Sequence, residues 1–379
     1  MSTSRAPRVL HVTEAMGGGI VTFVDSISRR QVEAGADVGV LYTVRPDTPS
    51  RETMEERFHP SVRLLTPIDA GGTAKNTLAL MTKLRRIARA GAYDAIHLHS
   101  SIAGVAGRLA LTGVRTPVFY SPHGFAFLRE SSPSIVRAAY RALERVCARK
   151  GTLVVTSAGE IDLAEESLHA REVRYLQSGV PISTVPETVG PREHDGPVVV
   201  VTTARITYQK APWRFAAIAK ALEGRARFVW VGGGADADIE AWIGDAPVEL
   251  KDWVTPEELE KIFAEADIFL FPTLWEGMAL SLIQAQGRGI PAVTTDVVGN
   301  RDTVLDGVTG YVRGSDAALI EATRELIESP DLRRTMGIAA VQRVRESFTD
   351  DPIGVDSLAI YRGDLPKGDP FAAVRLRSS

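Results

Sequence analysis

Cysteine is nearly absent: Cys147 stands alone among 379 residues. A single thiol excludes any disulfide within the chain and any metal site built from several cysteines, and it suits a reducing cytoplasm. Long apolar runs are missing too. Nowhere do about 18 uninterrupted apolar residues occur, as a spanning helix needs, and the apolar run in MSTSRAPRVLHVTEA is too short for a signal sequence. Any membrane contact is therefore expected to be peripheral, on the inner face. Excess charge is the third absence. With 44 Lys and Arg against 47 Asp and Glu, a formal charge of −3, no basic field gathers nucleic acid, and anion binding must be local. No internal repeat or low-complexity tract appears. What is present is an ordinary globular composition, 44% hydrophobic and 24% charged, at a length that suits two domains.

From Arg8 onward, short β-branched runs alternate with amphipathic stretches. Strands are predicted at Val9–Val12, Val38–Tyr42, Val62–Leu65, Ala95–His99, Val118–Ser121, Leu153–Thr156 and Val173–Leu176, with a helix from about Ile20 to Ala34. Pro181–Pro197 is rich in Pro, Gly and charge, as linkers are. A second series follows at Val198–Thr202, Phe228–Val231, Val248–Leu250, Ile268–Phe271 and Ala292–Thr295. Repeated βα alternation builds parallel sheets covered on both faces, so the expected class is α/β with two Rossmann-like domains. Ligands bind such sheets at the carboxyl ends of the strands, and two facing sheets make an interdomain cleft. Asp351–Tyr361 reads as a last helix and the residues from about Leu365 as a loose tail. The expected boundaries are 1–188, 189–350, and 351–379 for the last helix and tail.

The second half is organised around Phe269–Asp306, FLFPTLWEGMALSLIQAQGRGIPAVTTDVVGNRDTVLD. It reads as strand, loop, helix and strand, with the helix opening at about Glu276 to Met278. Unpaired amides and the positive dipole end of a helix converge there with Glu276 and Gly277, a place for an anionic ligand such as a sugar phosphate. Gln284 follows Glu276 by eight residues, a little over two helical turns, so both can point along one side of that ligand. A capping Glu and a surface Gln is the plainer reading of the pair.

The stretch from Pro272 to Val312, with EGMALSLIQAQGRGIPAVTTDVVGNRDTVLDGVTGYV at its heart, resembles the E-x7-E segment of family 4 retaining glycosyltransferases. In that family the first Glu contacts the donor sugar, the amides just after it receive the diphosphate, and the second Glu binds the ribose. The resemblance implies a donor site of Glu276, Gly277, Met278, Ala279, Leu280 and Gln284, the last standing where the family has Glu. An amide can accept from one ribose hydroxyl and donate to the other, but without charge. The GT-B arrangement is implied as well, its last helix crossing back to the N-terminal domain.

Other segments extend the match. VFYSPHGFAF resembles the family's T-P-H-G-F, which implies that His123 lies at the donor sugar, where a neutral imidazole can hydrogen-bond a hydroxyl. TTARITYQKAPWRF resembles G-R-x-x-x-x-K-G with Ala204 and Ala211 replacing glycines. Arg205, with its planar fork, and Lys210, a point charge, suit a diphosphate. VELKDWVTPEEL resembles the nucleobase loop, with Asp252 in a Gly position; Leu250, Lys251 and Trp253 supply backbone groups for a uracil-like edge. Gly17, Gly18 and Gly19 sit where the family places its glycine loop and permit close backbone approach, though they are not the G-x-G-x-x-G of dinucleotide binders.

Three signals are weighed as structural. His97 and His99, alternate residues at a strand end, are taken to point to opposite faces and to pack or hydrogen-bond rather than hold a metal. Asp236-Ala237-Asp238 is a D-x-D such as metal-dependent transferases use, but it falls where acidic residues favour a helix start. Arg137, Arg141, Arg145 and Arg149 form a basic stripe in Ile135–Lys150 beside an apolar face of Val136, Ala139, Leu143 and Val146. That is a solvated helix face or one lying on anionic lipid.

The expected activity is retaining, metal-independent hexosyl transfer from a UDP-linked nucleotide-sugar to a saccharide or lipid-linked acceptor in polysaccharide biosynthesis. Glu276, His123, Arg205 and Lys210 carry it, with no cofactor, no metal and no nucleic-acid partner. The rivals are a degenerate nucleotide-sugar-binding module, motivated by Gln284 and Asp252, and a nucleotide-sugar epimerase or phosphorylase of the same fold.

Overall fold

The computed structural model describes residues 5–190 and 196–364. Pro191–Asp195, within the expected linker, and the tail from Leu365 lie outside the described residues. The chain divides into two compact units. The first runs to Leu128, resumes over Ser132–Ser178 and takes the chain again from Asp350; the second is Arg129–Ser131 with Gly179–Thr349.

The first unit is a parallel sheet of β1 (Arg8–Thr13), β2 (Asp37–Tyr42), β3 (Arg63–Leu64), β4 (Ala95–His99), β5 (Val118–Ser121), β6 (Thr152–Val155) and β7 (Val173–Tyr175). Its spatial order is β3-β2-β1-β4-β5-β6-β7. Runs such as Val38, Val40, Leu41 and Tyr42 are buried throughout, as strands covered on both faces require. The second unit holds β8 (Val199–Thr203), β9 (Arg227–Val231), β10 (Val248–Lys251), β11 (Ile268–Phe271), β12 (Ala292–Thr295) and β13 (Gly310–Arg313), in the order β10-β9-β8-β11-β12-β13. Strand direction of growth reverses between β1 and β4 and again between β8 and β11. Those two switch points are where doubly wound sheets open a crevice at their carboxyl ends.

β13 escapes the sequence reading because GYVR is short, opens on Gly and alternates too briefly to register. The last helix, Ile353–Arg362, packs on the Gly18–Glu33 helix of the first unit, burying Ile353 and Ile360 with Val24 and Ile27. Asp350 fixes its start by accepting from Ser26 Oγ at 2.7 Å and Arg30 Nη2 at 2.8 Å. The part of the expected linker that is described is anchored to the second unit: Val185 is buried and its carbonyl accepts from Arg345 at 2.9 Å.

Candidate active site

In the second unit the loops after β8 and β11 meet at the switch point. Leu274 N donates to Gln209 O at 2.9 Å, and Gln209 Nε2 donates to Trp275 O at 2.8 Å, closing one loop on the other. Lys210 Nζ thereby comes 2.6 Å from Glu276 Oε1 and 4.8 Å from the centre of the Phe271 ring. The pair is largely shielded, with side chains 19% and 7% exposed, so its attraction is stronger than that of a surface pair. Arg205 stands exposed just beyond β8. Leu250 and Lys251 end β10, and Trp253 beyond them is 63% exposed, its N–H bound to Asp252 Oδ1 at 2.7 Å. Arg205, Lys210, Leu250, Lys251, Trp253 and Glu276 thus stand at or just beyond the carboxyl ends of β8, β10 and β11.

Two expectations about this loop need correction. The helix opens at Leu280, not at Glu276 to Met278, and Ala279 before it is extended (φ −86°, ψ 103°). Lys210 holds the Glu276 side chain, and the chain enters the helical region only at Leu280. The two-turn spacing from Glu276 to half-buried Gln284 therefore does not apply.

Beneath the loop lies a support that sequence reading missed. Asn300 Nδ2 lies 3.2 Å from Thr273 Oγ1 and 3.3 Å from Thr295 Oγ1, which itself donates to Thr273 O. All three residues are buried. Gly299 has φ +83°, and a Cβ there would meet Gly277 O at 2.0 Å, so only glycine fits both the backbone and the space. The dipeptide Gly299-Asn300 was the available signal, but only as a turn. Asp236 and Asp238 sit in the first turn of the Asp236–Trp242 helix, as helix-start acids do.

In the first unit, Gly17 precedes the Gly18–Glu33 helix, with Gly18 and Gly19 exposed in its first turn beyond β1. Ser100 after β4 and His123 after β5 have φ of +73° and +53°, a conformation costly for residues with a Cβ and held only by the surrounding structure. His97 and His99 do not point to opposite faces. Residues two apart on a strand share a face, and their ring centres are 4.2 Å apart. His11 on β1 joins them, its Nδ1 2.9 Å from His99 Nε2, while His99 Nδ1 lies 3.0 Å from His123 Nε2. Burial without a charged partner lowers all four imidazoles, His11 and His123 to about 4 and His97 and His99 well below the usual value, so each is neutral near pH 7. Nitrogens of His11, His97 and His99 lie within 4.8 Å of one another, a donor set of a type that zinc accepts. Every ring nitrogen of the three already has a side-chain hydrogen-bond partner.

The basic stripe also differs from expectation. In the Ser134–Cys147 helix the inward residues are Arg137, Tyr140, Glu144 and Cys147, whereas Ile135, Val136, Leu143 and Val146 are exposed beside Arg141 and Arg145. Buried Glu144 anchors the helix, accepting from Arg108 Nη2 at 2.5 Å and Tyr120 Oη at 2.7 Å. A charge must find such partners once buried, and the apolar stripe is left facing outward. Among the described residues no helix is long and apolar enough to cross a membrane.

Residues 18–179 match the family model described as "Glycosyl transferase 4-like domain" and residues 197–329 the model "Glycosyl transferases group 1". The chain is 26% identical over 253 residues to UDP-Gal:alpha-D-GlcNAc-diphosphoundecaprenol alpha-1,3-galactosyltransferase of Escherichia coli, covering 61% of this chain and 65%, under two thirds, of that protein. Alpha-maltose-1-phosphate synthase of Mycobacterium tuberculosis is 24% identical over 92% of this chain and 96% of its own. Among solved structures, sucrose-phosphate synthase from Thermosynechococcus elongatus superposes with a TM-score of 0.79 at 19% identity, covering 95% of this chain and 99% of its own. HepE of Anabaena in complex with UDP-glucose gives 0.73 at 16%, covering 94% and 100%.

Proposed function

The chain belongs to the family 4 glycosyltransferases of the GT-B fold, which transfer sugars from nucleotide-sugars in glycan biosynthesis, and on that premise we propose that it is a retaining, metal-independent enzyme using a UDP-linked sugar. The observation that carries the reading is the Lys210–Glu276 pair, 2.6 Å apart over the switch point of the second sheet. In this reading Glu276 holds donor-sugar hydroxyls, Arg205 and Lys210 receive the diphosphate, and the free amides before and at Leu280 complete the anion site. Leu250, Lys251 and Trp253 face the base, and Gln284 the ribose. Gly17, Gly18 and Gly19 line the first unit's switch point, where His123 offers its ring to a sugar hydroxyl.

Charge grows on the leaving diphosphate as the anomeric C–O bond breaks, and cations fixed there beforehand lower the barrier. The acceptor oxygen bonds to the anomeric carbon on the face the diphosphate leaves, and its proton passes to the departing phosphate oxygen. Glu276 is engaged by Lys210 rather than poised as a nucleophile, which favours this front-face course and retention. Two basic residues occupy the role a divalent ion plays beside a D-x-D. The relative from Escherichia coli is named for a UDP-Gal donor and a diphosphoundecaprenol acceptor, which supports UDP and a lipid-linked or saccharide acceptor here. We assign donor binding to the second unit and the acceptor side to the first, close to the expected divisions 189–350 and 1–188, and place the enzyme at the inner membrane surface, held by the exposed face of Ser134–Cys147.

A panel of radiolabelled nucleotide-sugars, incubated with and without saccharide acceptors and with EDTA, tests this. Transfer that requires acceptor and survives EDTA is the expected result. Binding without turnover would point to a degenerate module, and an epimerised or phosphorylated sugar to the other rival. Activity abolished by EDTA and restored by manganese would return Asp236 and Asp238 to consideration.

A further inference from the structure

The first unit contains a hydrogen-bonded chain whose direction can be worked out from its ends. Ser357 Oγ donates to Gly354 O at 2.9 Å, and a backbone carbonyl only accepts. Ser357 has one proton, so its oxygen must receive the amide N–H of Gln31, 2.8 Å away. That places Gln31 Oε1 toward His11 Nε2, at 2.8 Å, and makes Nε2 the protonated nitrogen of His11. A neutral His11 then accepts at Nδ1, so His99 Nε2 carries a proton, and His99 in turn accepts at Nδ1 from His123 Nε2.

A second branch fixes the same amide independently. Ser121 Oγ donates to Val154 O at 2.6 Å, so it accepts from His97 Nε2 at 2.9 Å. His97 Nδ1 therefore accepts from Tyr361 Oη at 2.7 Å, and the Tyr361 oxygen is free to take the other N–H of Gln31 at 3.3 Å. Both branches demand the same orientation of Gln31. Two backbone carbonyls thus set every proton between them and His123.

We infer that Gln31 and Ser357 are positioning residues that act through His11 and His99 to lock His123 in one tautomer, with the proton on Nε2 and the lone pair of Nδ1 turned to the ligand. The inference rests on the proposed role of His123 toward a sugar hydroxyl. Such a ring accepts from a hydroxyl and offers no proton to a phosphate or carbonyl oxygen, so it selects the sugar over the diphosphate at that point. The Phe23 ring packs edge-on against the His123 imidazole, centres 4.5 Å apart, and Gly124 N donates to buried Glu160 Oε1 at 3.0 Å, fixing the backbone next to His123. Burial of the four rings keeps them neutral, which the one-way chain requires. Ordinarily a ring nitrogen's partner chooses the tautomer. Here the choice originates on a helix encoded 230 residues after His123, in Ser357.

Long-range 1H–15N correlation spectra of the full-length protein read the tautomer directly, with His123 assigned by the signal lost in His123→Asn. The wild type should show His123 protonated on Nε2 alone, unchanged from pH 6 to pH 8. Gln31→Met removes the amide at similar volume, and Ser357→Ala combined with Tyr361→Phe removes both hydroxyls that orient it. Each should give a mixed or Nδ1-protonated His123 and lower kcat about tenfold or more with donor KM changed less than twofold, while Ser357→Thr with Tyr361 intact keeps both readouts as in the wild type. A wild-type His123 protonated on Nδ1, a Gln31→Met or Ser357→Ala/Tyr361→Phe protein with wild-type spectrum and kcat, or stoichiometric metal in the purified protein would each overturn the inference. Should no nucleotide-sugar be turned over, the transferase reading fails while the spectra still decide the tautomer.

Discussion

Lys210 and Glu276 illustrate how much one pair can hold: each shields the other, and each is expected to meet a different part of the donor. Lys210→Ala should lower kcat/KM by about 10- to 150-fold, the equivalent of roughly 1.5–3 kcal/mol for charge-assisted bonds. Glu276→Ala should cost at least as much, because the remaining Lys210 loses its partner in a shielded place. Since the two touch, the double variant should lose less than the two single losses combined. Strict additivity in that cycle would mean that the contact plays no part in catalysis. Gly299→Ala offers a separate test on the same loop. Its methyl would meet the Gly277 carbonyl and its φ would be unfavourable, so donor affinity measured by calorimetry should fall, along with a stability loss of about 1 kcal/mol or more. Unchanged UDP affinity in that variant would detach Gly299 from the site.

At the level of the element, the Ser134–Cys147 helix is unusual in having its polar anchor inside and its aliphatic residues outside. Changing Arg141, Arg145 and Arg149 to Glu should abolish binding to anionic vesicles while the fold persists, since each basic residue near such a surface contributes roughly 1 kcal/mol, screened by salt. Sedimentation with phosphatidylserine vesicles checks it; equal binding by both proteins would leave a solvated helix. Heptad-like spacing made this helix legible in the sequence, but not which side faces in. Nothing local announces that Glu144 will find Arg108 and Tyr120 on other elements. The strands were more legible, Ala95–His99, Val118–Ser121, Ile268–Phe271 and Ala292–Thr295 coinciding with the short apolar-rich runs, because burial on both faces favours apolar residues at most positions. The face shared by His97 and His99 followed from strand geometry alone and was misread. Thr273, Thr295 and Asn300 carry no periodicity, and become a group only when β11 and β12 pair.

For the molecule as a whole, the neutral histidines link stability of the first unit to pH. His11 and His123 lie at about 4 when folded against about 6.5 in an unfolded chain. Between those values the unfolded state binds more protons, so this stability is complete above about pH 6.5 and is lost as pH falls toward 4. Each contributes a slope of about 1.4 kcal/mol per pH unit inside the window, and His97 and His99 act in the same direction. All 5 tryptophans lie between Trp213 and Trp275, in the second unit. Between pH 7 and pH 5, hydrogen exchange at β1 and β4 should therefore accelerate well before tryptophan fluorescence changes, and His11→Phe should flatten the dependence. Equal pH sensitivity of the two probes would refute it. The helix Ile353–Arg362 has one more consequence, which concerns time rather than space. A ribosome makes all of Gly179–Thr349 before it reaches Ser357, an interval on the order of ten seconds or more at roughly 5–20 residues per second. Throughout it, the nascent first unit holds Gln31 with no hydroxyl to orient it, so His11, His99 and His123 have no assigned tautomer, and only His97 is set, by Ser121. On the proposed reading, a chain released early would carry a finished second unit and a His123 without a defined tautomer, and so would bind a donor yet turn it over slowly.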